Sequence, residues 1–237
     1  MRIKRYITAI KRYHRSKGHG IHSPFAFYFV LNVLRGRLPY YAYEDIEVLR
    51  NFVISKTKTF WRHPRIISFK NAKLLFRIVN YFNPTEIFQL GTNYGMSSAS
   101  MLAVSSKTEL FLCEANVNEY PITSEILSHF GNKVFNFLTF EEGLKAYADT
   151  VTGADNPFIL INSIKEEEYS QVLSYLHKVR QGKGVIIIRN LTKNDALFAL
   201  WNACRDVANT GMTFTNGKMG IIVATPKLPH QNFSLWF

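Results

Sequence analysis

Two glycines and one carboxylate are the residues of this chain whose types and spacing speak most plainly of chemistry. Gly91 and Gly95 bracket the segment GTNYG, and Glu114 follows the first glycine by 23 residues. A glycine turn of this kind lets backbone N–H groups approach a ligand closely, because no Cβ holds them off. An acid at that distance, at the end of the next strand, is placed to accept hydrogen bonds from a ribose diol. The pattern is Gly-x-x-x-Gly and lacks the middle glycine of the dinucleotide fingerprint, so its meaning rests on what surrounds it.

Such a turn works only between a strand and a helix, and the flanking sequence supplies both. Ile87, Phe88 and Leu90 form a short apolar run suited to a buried parallel strand, and Met96 to Val104 carries the helix. From Pro84 onward the alternation repeats. It predicts strands near 85–90, 109–114, 133–138, 157–162 and 183–189, with helices over 95–105, 119–130, 140–149, 165–180 and 194–208. Ser163, ahead of Glu166, Glu167 and Glu168, reads as the cap of the 165–180 helix, and Gly182 as its end. Two closing strands, near 212–216 and 219–225, meet at Asn216-Gly217, a hairpin signal. Five β-α units and a hairpin predict an α/β fold: a doubly wound, mostly parallel, seven-stranded Rossmann-like sheet with an antiparallel last strand.

Residues 1–83 read as a basic helical segment, a candidate lid, ahead of this domain at 84–237. Ser23 is placed to cap a helix whose first turn holds Pro24, and further helices are expected over 43–55 and 71–82, the second stopped by Asn83-Pro84. Residues 1–43 hold nine Lys or Arg and no acid, out of a formal net charge of +12. Ile3, Ile7 and Ile10 share one face of a helix over 1–17. That helix could rest on an anionic membrane surface or on RNA through the cations of residues 1–37, or dock its apolar stripe on the domain. Cys113 and Cys204 lie far apart in apolar segments, which suits free thiols in a reducing compartment, and no zinc-type spacing exists. With no secretory h-region and no membrane-length apolar run, a cytoplasmic location is expected. The aromatic tail QNFSLWF is either a last strand of the sheet or a surface for a second copy, making a homodimer.

Over nearly its whole length the chain resembles the class I S-adenosylmethionine-dependent methyltransferases, in particular a bacterial branch with a helical N-terminal segment. The resemblance is carried by GIHSPF at 20–25, LLFRIVNYFNPTEIFQLGTNYG at 74–95, FLCEAN at 111–116, PFILIN at 157–162 and GVIII at 184–188. It implies S-adenosylmethionine as the cofactor. Gly91, Thr92, Asn93, Tyr94 and Gly95 would form the floor under its methionine part, Glu114 would take the ribose hydroxyls, and Thr139 and Phe140 would lie near the adenine.

Three positions depart from that family. Where relatives usually carry acids, this chain has Gln89 before the first glycine, Asn162 at the end of the fourth strand and Arg189-Asn190 after the fifth. Gln89 and Asn162 remain candidate cofactor contacts through their amides. Asn162, Arg189 and Asn190 are the candidates for positioning the methyl acceptor, but they offer amide oxygens beside a cation where a divalent metal needs hard carboxylate ligands. The expected activity is therefore metal-independent methyl transfer to an unknown acceptor. The alternative is a methyltransferase-fold protein that has lost catalysis and acts as a binding or scaffold module. The Pro-Pro-aromatic motif of base methylation is absent, since the chain reads Ile161-Asn162-Ser163-Ile164.

Overall fold

The computed structural model describes residues 10–58, 66–114, 116, 118–150, 156–207 and 209–237. Ile3 and Ile7 of the expected apolar stripe lie outside them. Residues 10–15 form a helix, α1. There follow α2 (Pro24–Tyr28), α3 (Ala42–Thr57), α4 (Phe69–Phe82), β1 (Glu86–Leu90), α5 (Met96–Leu102), β2 (Glu109–Cys113) and α6 (Tyr120–Leu127). Then come β3 (Val134–Phe137), α7 (Phe140–Thr150), β4 (Phe158–Ile161), α8 (Tyr169–Gln181) and β5 (Gly184–Ile188). The chain closes with α9 (Asp195–Arg205), β6 (Met212–Thr215), β7 (Gly220–Ala224) and β8 (Gln231–Ser234). No described helix is long and apolar enough to cross a membrane.

These elements group into two compact units, one contiguous (Leu38–Asn162) and one built from both ends of the chain (Met1–Arg37 with Ser163–Phe237). In the contiguous unit the strand order is β3-β2-β1-β4, and each pairing is parallel. The register sets Leu90 opposite Cys113 and Ile161, and Cys113 opposite Phe137, so the carboxyl ends of all four strands lie level. Ile87, Phe88, Leu110, Leu112 and Leu160 are all buried because helices cover both faces. One such helix is α7, where the absent side chain of Gly143 permits close approach: a Cβ there would lie 2.3 Å from Cys113 Sγ. Phe88 stacks on Tyr147 of α7 at 5.2 Å, and the Tyr147 hydroxyl accepts the Phe158 N–H at 3.2 Å. The stop at Asn83-Pro84 takes the expected form, with Asn83 at φ +46° and its N–H on Val79 O at 2.7 Å.

In the other unit the order is β5-β7-β6-β8, with β7 antiparallel to both β5 and β6 and β8 parallel to β6. Asn216-Gly217 makes the hairpin turn: Asn216 Oδ1 accepts the N–H groups of Lys218 and Met219, both at 2.9 Å, and Gly217 sits at φ +86°. The tail resolves as an eighth strand. Ser23 caps α2 through the Ala26 N–H at 3.3 Å, and the helix then widens into a π-helical turn, Phe29–Leu34. Ser163 caps no helix among the described residues: α8 begins at Tyr169, after a turn in which the Glu168 N–H donates to Lys165 O and the Tyr169 N–H to Glu166 O, both at 3.2 Å. Of the expected apolar stripe, Ile10 alone falls among the described residues. Ile10 is 57% exposed, whereas Ser16 is buried, its hydroxyl accepting the Trp236 N–H at 2.6 Å, and Arg12 Nε donates to Ser234 Oγ at 2.7 Å.

Candidate cofactor site

The turn after β1 is wound left-handed almost throughout, with Gly91 at φ +75°, Asn93 at +54°, Tyr94 at +57° and Gly95 at +77°. Two non-glycine residues in that region cost free energy and persist only where neighbours fix them. The neighbours are amides and hydroxyls. Gln89 Nε2 donates to Gly91 O at 2.8 Å and to Ser97 Oγ at 3.1 Å, while Gln89 Oε1 accepts from Ser98 Oγ at 3.0 Å. Asn162 Nδ2 reaches the same Gly91 O at 2.6 Å and Ser97 Oγ at 3.0 Å, and Ser97 Oγ donates to Thr92 O at 2.8 Å. Asn93 Oδ1 accepts the Ile67 N–H at 2.7 Å. The carbonyls of Gly91 and Thr92 thus face donors, the Gly91 N–H donates to Cys113 O at 2.9 Å, and the N–H groups of Thr92 and Tyr94 face two carboxylates.

Glu114, at the end of β2, accepts the Asn116 N–H on Oε1 at 2.6 Å and the Thr92 N–H on Oε2 at 2.8 Å. Glu119 Oε2 accepts the Tyr94 N–H at 3.0 Å. Between them lies the Thr92 hydroxyl, 2.8 Å from Glu114 Oε2 and 2.9 Å from Glu119 Oε2. It has one proton and so bonds one carboxylate at a time, and Thr123 Oγ1, donating to it at 3.1 Å, keeps that proton aimed at the acids. A carboxylate has about four acceptor sites, two per oxygen. When the Thr92 proton points to Glu119, one site stays open on each oxygen of Glu114, which matches the two hydroxyls of a vicinal diol.

Burial lifts the Glu119 carboxyl above the ordinary carboxylate range, and the charge of Glu114 lifts it further, against hydrogen bonds from the Tyr94 N–H, Thr92 and Asn116. The Tyr94 phenol is raised as well, first by burial and then by these two acids. Sequence reasoning missed Glu119. Its signal was modest: an acid five residues past Glu114, directly before the Tyr120-Pro121 helix start, where a carboxylate ordinarily serves its own helix.

The contiguous unit therefore brings together Gln89, Gly91, Thr92, Asn93, Tyr94, Gly95, Glu114 and Asn162. Thr139 and Phe140 follow β3: Thr139 Oγ1 accepts the Glu142 N–H at 3.3 Å, and Phe140 is buried with its ring 5.7 Å from that of Phe88. Arg189 and Asn190 belong to the other unit, at the end of β5. There Arg189 is buried, its guanidinium pulled down to about 10 by desolvation, and Asn190 takes φ +62° with its carbonyl accepting the Lys193 N–H at 2.9 Å.

No family model matches the sequence, and no curated protein is similar enough to match. Solved structures do. An O-methyltransferase from Bacillus cereus in complex with S-adenosylhomocysteine is 15% identical, with 82% of this chain and 95% of that chain covered and a TM-score of 0.52. The S-adenosylhomocysteine-bound methyltransferase PaMTH1 of Podospora anserina is 15% identical over 86% of this chain and 97% of that one, TM-score 0.52. A methyltransferase from Geobacter sulfurreducens is 12% identical over 81% and 95%, TM-score 0.54. At such identities the likeness shows the fold.

Proposed function

We propose, from a chain with the fold of the S-adenosylmethionine-dependent methyltransferases, that this protein binds S-adenosylmethionine and transfers its methyl group without a metal ion. One observation carries the reading: the Glu114 carboxylate at the end of β2, beside the left-handed Gly91–Gly95 turn, with an acceptor site free on each oxygen once Thr92 turns to Glu119. The structural neighbours crystallised with S-adenosylhomocysteine support it. The two acids also suit the charge of a cofactor that carries a sulfonium and an ammonium.

When bound, S-adenosylmethionine supplies an electrophilic methyl group on a positive sulfur. The chain's own work is to hold that group and an acceptor in line, which suffices for an amine or an already acidic hydroxyl. Glu114 would hold the ribose, the Thr92–Gly95 backbone would form the floor, and Thr139 and Phe140 would lie by the adenine. Neither the end of β4, with Asn162, nor the end of β5, with Arg189 and Asn190, offers a divalent ion a carboxylate, hence the metal-independent route. The cations of residues 1–37 would steer an anionic acceptor.

A second reading, a binding module on a methyltransferase fold, is favoured by Gln89 and Asn162, whose amides are spent on the turn itself. Calorimetric titration with S-adenosylmethionine and S-adenosylhomocysteine, on the protein and on Glu114→Ala, tests the first. Micromolar binding that the variant loses supports it. Absence of heat and of thermal stabilisation at millimolar ligand leaves the second.

A further inference from the structure

The unit built from both chain ends carries an open cleft of about 360 Å3, lined by α1, α9 and the strands β6 and β8. It shares no residue with the turn after β1. Its volume lies in the range of small-molecule sites and equals that of roughly a dozen waters. Three arginines line it, Arg12, Arg15 and Arg205, with the single acid Asp206.

Asp206 is committed. It accepts Arg205 Nη2 at 2.6 Å and Arg205 Nε at 2.8 Å on Oδ2, and Asn232 Nδ2 at 3.1 Å on Oδ1, which neutralises Arg205. Arg12 and Arg15 have no carboxylate partner among the described residues, so two positive charges in the lining are uncompensated. Arg12 is also oriented: its Nε is spent on Ser234 Oγ, which fixes the plane of the guanidinium and leaves both Nη groups for another acceptor. Gly217 lies alongside that end, where a Cβ would stand 3.5 Å from Nη1 and 3.8 Å from Nη2, ordinary contact distances. The wall opposite in character is aromatic. Trp201 and Phe198 lie on α9; Trp201 is buried, and Phe198, 51% exposed, offers an apolar face to a bound molecule.

A pair of free guanidinium groups beside an aromatic wall recognises a doubly charged tetrahedral anion on an apolar body. We propose that this cleft binds a small phosphate monoester with an aromatic or aliphatic body, its phosphate between Arg12 and Arg15 and its body against Phe198 and Trp201.

Phenyl phosphate is the probe, titrated into the full chain by calorimetry and by tryptophan fluorescence, with no nucleotide cofactor present, so the outcome is independent of the proposed activity. Saturable binding is expected, weakened about tenfold to a hundredfold in Arg15→Gln, the loss of one charge-assisted bond. Arg15 is exposed and makes no side-chain bond among the described residues, so this variant keeps the fold; Arg12→Gln serves as a second variant, checked for α1 docking by circular dichroism. Inorganic phosphate is expected to bind at least tenfold more weakly for want of the aromatic contact. No saturable signal up to about 1 mM phenyl phosphate, equal binding by inorganic phosphate, or unchanged affinity in Arg15→Gln would each overturn the proposal.

Discussion

Replacing Gln89 by glutamate puts back the acid that the resembled family carries there, and in this chain it should cost about 5 kcal/mol at pH 7. Gln89 is fully buried, with both amide hydrogens donated, to Gly91 O and Ser97 Oγ. An ionised glutamate would set an oxygen against the Gly91 carbonyl, so the side chain must fold protonated. It then keeps one donor of two, a loss of about 1 kcal/mol. The loss goes no further, because Asn162 Nδ2 still serves both Gly91 O and Ser97 Oγ. Holding the proton at pH 7 against an unfolded pKa near 4.3 adds about 1.36 kcal/mol per pH unit, or roughly 3.7 kcal/mol. The folded pKa is raised above the unfolded one, so the penalty is smallest below about pH 4.3 and grows as pH rises toward the folded pKa. Urea unfolding of both proteins should give a difference of about 2 kcal/mol at pH 5 and about 5 kcal/mol at pH 7. A variant unfolded at pH 7 that refolds at pH 5 meets the same expectation. A penalty under about 1 kcal/mol at pH 7, or one equal at both pH values, would refute the reasoning and mean that the Gln89 amide is not committed to the turn.

Three other outcomes follow from the geometry. A protonated Glu119 donates to Thr92, whose own proton then goes to Glu114, so affinity for S-adenosylhomocysteine should rise as pH climbs through the raised Glu119 pKa; calorimetry across that range should show the rise in the wild type and a flat profile in Glu119→Gln. Gly220→Ala places a Cβ 2.2 Å from the Trp201 ring, and overpacking of this kind should lower stability by about 1–3 kcal/mol in denaturant titration. Burial pushes the Cys204 thiol up to about 12, so it should resist an aromatic disulfide reagent at pH 8 in the native protein and react at once on denaturation.

The strands of this fold were legible because buried parallel strands are unbroken apolar runs between strong punctuation. Asn83-Pro84 and Asn216-Gly217 act within a few residues of chain, the second through the Asn216 side chain, and every expected strand lies within one residue of its observed limits at each end. What escaped the sequence depends on partners far along the chain. QNFS is short and half polar, and only its pairing with β6 distinguishes a strand from a loop. Ser163 has the composition of a cap, yet residues 165–168 form a turn of their own and α8 starts only at Tyr169. In the candidate site the glycines and Glu114 announced themselves by spacing. Glu119 did not, because its role is set by the Thr92 hydroxyl and the Tyr94 amide, more than twenty residues earlier.

The docking of α1 bears on how the chain is made. Its bonds from Arg12 to Ser234 and from Ser16 to Trp236 join residues 222 and 220 positions apart. At about 5–20 residues per second on the ribosome, the first helix waits roughly 10–45 s before its acceptor strand exists. The guanidinium of Arg12 and the hydroxyl of Ser16 are solvated while they wait, and the segment at β8 becomes the latch that captures α1.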